Sequence, residues 1–110
     1  MIKARIYKNK SGSVCGFRIE NHGNKLVCAA VSALALNTVN SIEKLTGDAF
    51  TCDHDPSGGF INFLHGSLAA GEEAHDASLL LEALYTGLDG IHEQYNKDIT
   101  ITTEVYNVKN

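Results

Sequence analysis

Asn21-His22-Gly23-Asn24-Lys25-Leu26-Val27-Cys28-Ala29-Ala30-Val31-Ser32-Ala33-Leu34 is the stretch that decides how the rest of the chain is read. Before it, apolar residues recur every second position; after it, they recur every third or fourth. A polar loop with one histidine therefore joins a strand to a helix. Asn24 is the expected N-cap, because its short side chain can accept the free amides of a first helical turn. The helix is expected from about Lys25 to Leu45, with Val27, Val31, Leu34, Thr38, Ile42 and Leu45 as its core stripe. Gly47 follows as its stop.

Working back, Ile2, Ala4 and Ile6 alternate with Lys3, Arg5 and Tyr7, and Cys15, Phe17 and Ile19 alternate with Gly16, Arg18 and Glu20. These are two strands joined through the turn cluster Asn9-Lys10-Ser11-Gly12-Ser13, with Cys15 as a buried thiol on the apolar face. Working forward, Ala49-Phe50-Thr51-Cys52 and Phe60 to Leu64 read as a second strand pair about the turn Asp53-His54-Asp55-Pro56-Ser57-Gly58-Gly59. Residues 66–75 read as a loop. A second helix is expected from Asp76, its N-cap, to about Tyr95, with Leu80, Leu81, Leu84, Leu88 and Ile91 as its stripe. Ile99, Ile101, Thr103 and Val105 alternate as a last strand, and residues 107–110 are expected to fray. The order β-β-α-β-β-α-β predicts an α+β fold: a mostly antiparallel sheet with both helices on one face.

Composition narrows the function. The 110 residues suit one domain, 1–110, with 44% hydrophobic and 20% charged residues and a single proline. The net charge of −4 comes without a cluster of lysine or arginine, which argues against direct nucleic-acid binding. No apolar run approaches the roughly 20 residues of a membrane span, so no membrane role is expected. The start Met1-Ile2-Lys3-Ala4-Arg5-Ile6 lacks the apolar core of a signal peptide. Three cysteines, Cys15, Cys28 and Cys52, have no framework spacing and are expected as free thiols in the cytoplasm.

The junction is where chemistry is expected. Cys28 lies in the first turn of a helix, where the dipole and free amides favour a thiolate and could hold an oxyanion. His22, six residues earlier across the bend, could accept and return its proton. Ser32, one turn further on, could orient His22 or bond to the sulfur. Lys25 would favour a thiolate as a nearby cation. Spacing alone leaves open a buried helical cysteine beside a surface histidine. Cys52 and His54, with His65, suggest a metal site as a weaker reading, although no paired ligand motif is present. His75 and His92 read as solvated. Glu72, Glu73 and Asp76 form an acidic patch, either a solvated helix start or an attractor for a lysine-rich peptide.

The run from His22 through Val27-Cys28-Ala29-Ala30-Val31-Ser32 resembles the signature of the ribosomal-processing cysteine protease Prp family. Asn40-Ser41-Ile42-Glu43-Lys44-Leu45, Ser57-Gly58-Gly59 and Glu93-Gln94-Tyr95-Asn96 are similar to later parts of that family, so nearly the whole chain is covered. Asn21 stands where the family usually has glycine, and Lys25 where it has aspartate. The His22–Cys28 segment is about half the usual length, with Gly23 in place of the family's second glycine. The resemblance implies a cytoplasmic, homodimeric endopeptidase without a cofactor. It would remove the N-terminal extension of a large-subunit ribosomal protein, number twenty-seven. Cys28 matches the nucleophile, His22 its histidine partner and Ser32 the serine one turn on. The alternative is an inactive paralogue that binds the precursor without cleaving it.

Overall fold

A computed structural model describes residues 1–107. Five strands and three helices follow one another as β1 (Ile2–Lys8), β2 (Val14–Glu20), α1 (Lys25–Ser41), β3 (Thr51–His54), β4 (Phe60–Leu64), α2 (Gly66–Ala69), α3 (His75–Gln94) and β5 (Ile99–Val105). The sheet order is β3-β4-β2-β1-β5. Every neighbouring pair is antiparallel except β1 and β5, which run parallel. The expected α+β architecture is therefore present, with the expected order plus one short helix. Of the tail expected to fray, residues 108–110 lie outside the described residues.

The period-two pattern explains the two faces of the sheet. Ile2, Ala4 and Ile6 are buried while Lys3 and Arg5 are exposed. In register with them, Phe17 sits opposite Ile6 and Ile19 opposite Ala4. Phe63 of β4 extends this apolar layer, stacking on Phe17 at 5.4 Å between ring centroids and meeting Phe50 at 5.0 Å. The other face is polar: Arg18 bonds Glu20 at 2.7 Å and lies 4.7 Å from the centre of the Phe60 ring.

Helix α1 lays Val27, Val31, Ala35 and Thr38 into the core, and α3 lays Ala77, Leu81, Leu84 and Leu88 beside them. Asn24 caps α1 as expected, accepting from the amides of Leu26 at 2.9 Å and Val27 at 3.3 Å. Past Ser41 the chain widens into a π-helical turn, Ile42–Thr46, before Gly47 ends it in the left-handed region at φ 70°. The wider turn explains one departure from the expected stripe. Ile42 is buried, but the extra residue per turn rotates Leu45 out to solvent.

Two further expectations are corrected. Residues 66–75 are not all loop, because His65 nucleates α2: its Nδ1 accepts from the Leu68 amide at 3.2 Å, and Leu68 and Ala69 are buried. Asp76 is not the cap of α3; Ala74 holds that position without a side-chain bond. Asp76 lies in the first turn, where its charge suits the helix dipole. Lys25–Thr46 forms a continuous helix of 22 residues whose most apolar 18-residue window has a mean hydropathy of 1.4, long and apolar enough by those measures to cross a bilayer. Here its inner stripe is committed to the sheet.

Candidate active site

The strand-to-helix junction is held at one end of the sheet by backbone. Asn21 adopts φ 76°, a left-handed conformation that asparagine tolerates better than any other residue except glycine. This is the physical reason an asparagine can stand where glycine is usual. The Asn21 amide donates to the Gly59 carbonyl at 2.9 Å, which fastens the junction to the β3–β4 turn. The Met1 amino group donates to the His22 carbonyl at 3.2 Å. From this anchored bend His22 projects its ring onto the turn, and α1 begins three residues later at Lys25.

His22, Cys28 and Ser32 line one open cleft of about 500 Å³ between α1 and the β3–β4 turn. Its walls are mostly apolar, built from Ile19, Val31, Leu36, Phe60 and Ile61, and His54 and Asp55 stand at its rim. Cys28 is half-buried, and its Sγ accepts from the Gly23 amide at 3.3 Å. His22 and Ser32 are exposed. Among the described residues no hydrogen bond joins His22, Cys28 and Ser32 to one another; they share the cleft without being linked. Lys25 is exposed and stands outside the cleft lining.

The expectation of free helical amides around Cys28 needs correction. Those of Leu26 and Val27 are taken by the Asn24 side chain, and that of Cys28 bonds the Asn24 carbonyl at 2.9 Å. The cap thus takes two of the four amides that a helix start leaves free. The donor beside the sulfur is instead the Gly23 amide, one residue ahead of the cap. Sequence reading missed this because Gly23 was read only as part of the loop.

The other thiols differ in kind. Cys15 is fully buried and burial pushes its thiol up to about 11. Burial, and then the charge of Asp53, also raise Cys52. All three cysteines are free. The metal reading fails at His65, which is 1% exposed and has both ring nitrogens engaged, Nε2 with Asp48 at 2.9 Å and Nδ1 with the Leu68 amide. Among the described residues no group of three histidine, cysteine or acidic side chains is placed to hold a metal ion.

The acidic patch stands at the opposite end. Gly71, next to Glu72, lines a depression with Asn9, Lys10 and Ser11 of the β1–β2 turn, and Asn9 Nδ2 donates to the Leu68 carbonyl at 2.9 Å. The cleft meets β1 at Ile2. The length of β1, about 20 Å, therefore separates Glu72 and Glu73 from the junction.

A thiol and an imidazole opening into one apolar cleft, on a sheet covered on one face by helices, are the parts from which a cysteine protease is made. Comparison with known proteins agrees. The sequence profile of the family described as cysteine protease Prp matches residues 1–100, and the chain belongs to that family. It is 28% identical to the ribosomal processing cysteine protease Prp of Bacillus subtilis (strain 168), over 96% of this chain and 99% of that one. It is 30% identical to the protein of the same name from Staphylococcus aureus (strain Mu50), over 92% and 97%. Its structure is similar to that of an essential ribosomal processing protease Prp from S. aureus in complex with a covalently linked product peptide. The TM-score is 0.86 at 28% identity, with 94% of this chain and 100% of the other covered. A second structure of that protease, in complex with a substrate peptide, gives a TM-score of 0.82 at 26% identity, with the same coverage of both chains. The chain is a cysteine protease of the Prp family.

Proposed function

We propose that the chain is a cytoplasmic endopeptidase that removes the N-terminal extension of a large-subunit ribosomal protein precursor, number twenty-seven, with Cys28 as nucleophile and His22 as base and acid. The observation that carries this reading is the shared cleft: the junction thiol and imidazole open into one apolar groove large enough for side chains of an extended peptide. The names of the relatives, which are ribosomal processing proteases, supply the substrate class.

In the proposed reaction His22 takes the Cys28 proton, and the thiolate attacks the scissile carbonyl carbon. The Gly23 amide, already beside the sulfur, would donate to the oxyanion that grows there. Collapse breaks the carbon–nitrogen bond as His22 returns the proton to the leaving amine, leaving a thioester on Cys28. Water, deprotonated by His22, then hydrolyses the thioester and restores the thiol. The missing hydrogen bond between His22 and Cys28 fits a resting enzyme, in which such contacts are commonly long and tighten only around substrate. Ser32, exposed in the cleft, would orient His22 or bond to the sulfur, and Lys25 adds positive charge one turn from the sulfur.

The reading includes a homodimer. Leu26, Ala29, Ala30, Ala33 and Leu36 form an exposed apolar stripe along α1 that a second copy would cover. Sedimentation of the purified protein tests this, and a monomer at micromolar concentration contradicts it. The function is tested with a peptide spanning the ribosomal extension and its junction. Cleavage by the wild type that is lost in Cys28→Ala and strongly reduced in His22→Ala is expected. Cleavage that survives Cys28→Ala overturns the assignment; tight binding without any cleavage by the wild type supports a precursor-binding protein instead.

A further inference from the structure

The β3–β4 turn meets His22 more closely than any other residue could be expected to allow. A Cβ built on Gly59 would lie 2.5 Å from His22 Nε2, 3.0 Å from Cε1 and 3.2 Å from Cδ2. No side chain, not even that of alanine, fits between this backbone and the ring. Gly58 is different: its Cβ would meet His22 Cε1 at 3.8 Å, an ordinary contact. Both glycines lie in the left-handed region, at φ 90° for Gly58 and 86° for Gly59. The turn is firm beneath the ring. The Gly58 amide donates to the Asp55 carbonyl at 2.9 Å, and the Asp55 carboxylate accepts from the Ser57 amide at 2.9 Å and the Ser57 hydroxyl at 2.7 Å.

We propose that Gly59 is a positioning residue for the base: its bare α-carbon is the seat on which the His22 imidazole rests in the cleft. The proposal rests on the assignment of His22 made above. Because the Asn21 amide bonds the Gly59 carbonyl, the seat and the root of the histidine are joined through backbone. The imidazole thus rests against a steric floor on one side, and among the described residues no hydrogen bond reaches its ring. Asp55, on the same turn, lines the same cleft. The Ser57 hydroxyl and then the Ser57 amide hold its carboxyl below the usual carboxylate range, with His22 and His54 adding to the effect. A methyl at position 59 would displace the ring by about 1 Å, from 2.5 Å to an ordinary van der Waals distance. A displacement of that size at a catalytic group can cost about a hundredfold in rate.

The two glycines make their own control. Gly58→Ala and Gly59→Ala both place alanine at positive φ, but only the second strikes the ring. With the precursor peptide, Gly59→Ala is expected to lower kcat about a hundredfold with KM within about twofold. Gly58→Ala should keep most of kcat, and the two variants should melt at similar temperatures. In a His22→Ala background Gly59→Ala should cost nothing further, because there is no ring to displace. Equal losses in the two single variants, or a Gly59→Ala loss that persists in full without His22, would overturn the proposal. Undiminished cleavage by His22→Ala would instead overturn the base assignment, a separate outcome. Should Gly59→Ala not fold, wild-type NMR decides: a nuclear Overhauser contact between the His22 ring protons and the Gly59 α-protons supports the seat, and its absence refutes it.

Discussion

Replacing Asn24 by alanine tests how the junction is held. Its Oδ1 accepts from two amides, those of Leu26 and Val27, and among the described residues no other side chain caps the start of α1. Loss of such a cap costs about 1 kcal/mol, within a range of about 0.5–2. Asn24 is exposed, so the freed amides meet water and no buried orphan adds to that cost. For a chain of 110 residues the unfolding entropy is about 230 cal/mol/K, so this cost should lower Tm by about 4 °C. Asn24→Asp keeps an acceptor and adds charge at the positive end of the dipole, and should melt at or above the wild type. The assay is thermal unfolding by circular dichroism at one fixed protein concentration, since association would raise Tm by mass action. An Asn24→Ala protein that melts within about 1 °C of the wild type would refute the reasoning, given the lower bound of the cap. So would an Asn24→Asp protein that melts as low as the alanine variant.

Asn21→Gly should be neutral or slightly stabilising in urea unfolding, whereas Asn21→Val should lose about 1–2 kcal/mol, because a β-branched residue cannot hold φ 76° without strain. Equal midpoints for the two would mean that backbone strain at the bend is not limiting. For Cys15 the sign runs toward alkali. Its folded-state thiol titrates near 11, above its ordinary value of 9, so its contribution is whole below pH 9 and is lost as pH rises toward 11. The stability gap between wild type and Cys15→Ala should therefore narrow over that window, and a gap that widens would contradict burial as the cause.

Much of the scaffold was legible because each element is signalled by its own residues. The alternation in β1 and β2, the cap at Asn24 and the stop at Gly47 are local decisions, and they appear where sequence places them. What sequence hid was set by partners distant in the chain. The parallel pairing of β5 with β1 carries no mark in Ile99–Val105 itself. The helix after His65 depends on a buried ring bonded to Asp48, 17 residues away. At the site, Cys28 and His22 could be nominated from their spacing and from family resemblance. Asp55 and Gly59 could be read only as turn residues. Their place beside His22 arises because β4 pairs with β2, bringing Phe60 opposite Glu20 and the turn against the junction.

The central claim, that Cys28 is the working nucleophile served by His22, is tested most directly by thiol reactivity mapped residue by residue. Native protein is treated with limiting iodoacetamide near neutral pH, digested and sequenced by mass spectrometry, with peptide cleavage followed in parallel. The account predicts that Cys28 is modified first, ahead of the buried Cys15 and of Cys52. Cleavage should fall in step with that modification, and His22→Ala should slow it. Modification of Cys15 or Cys52 ahead of Cys28, or full cleavage by protein already alkylated at Cys28, would contradict it.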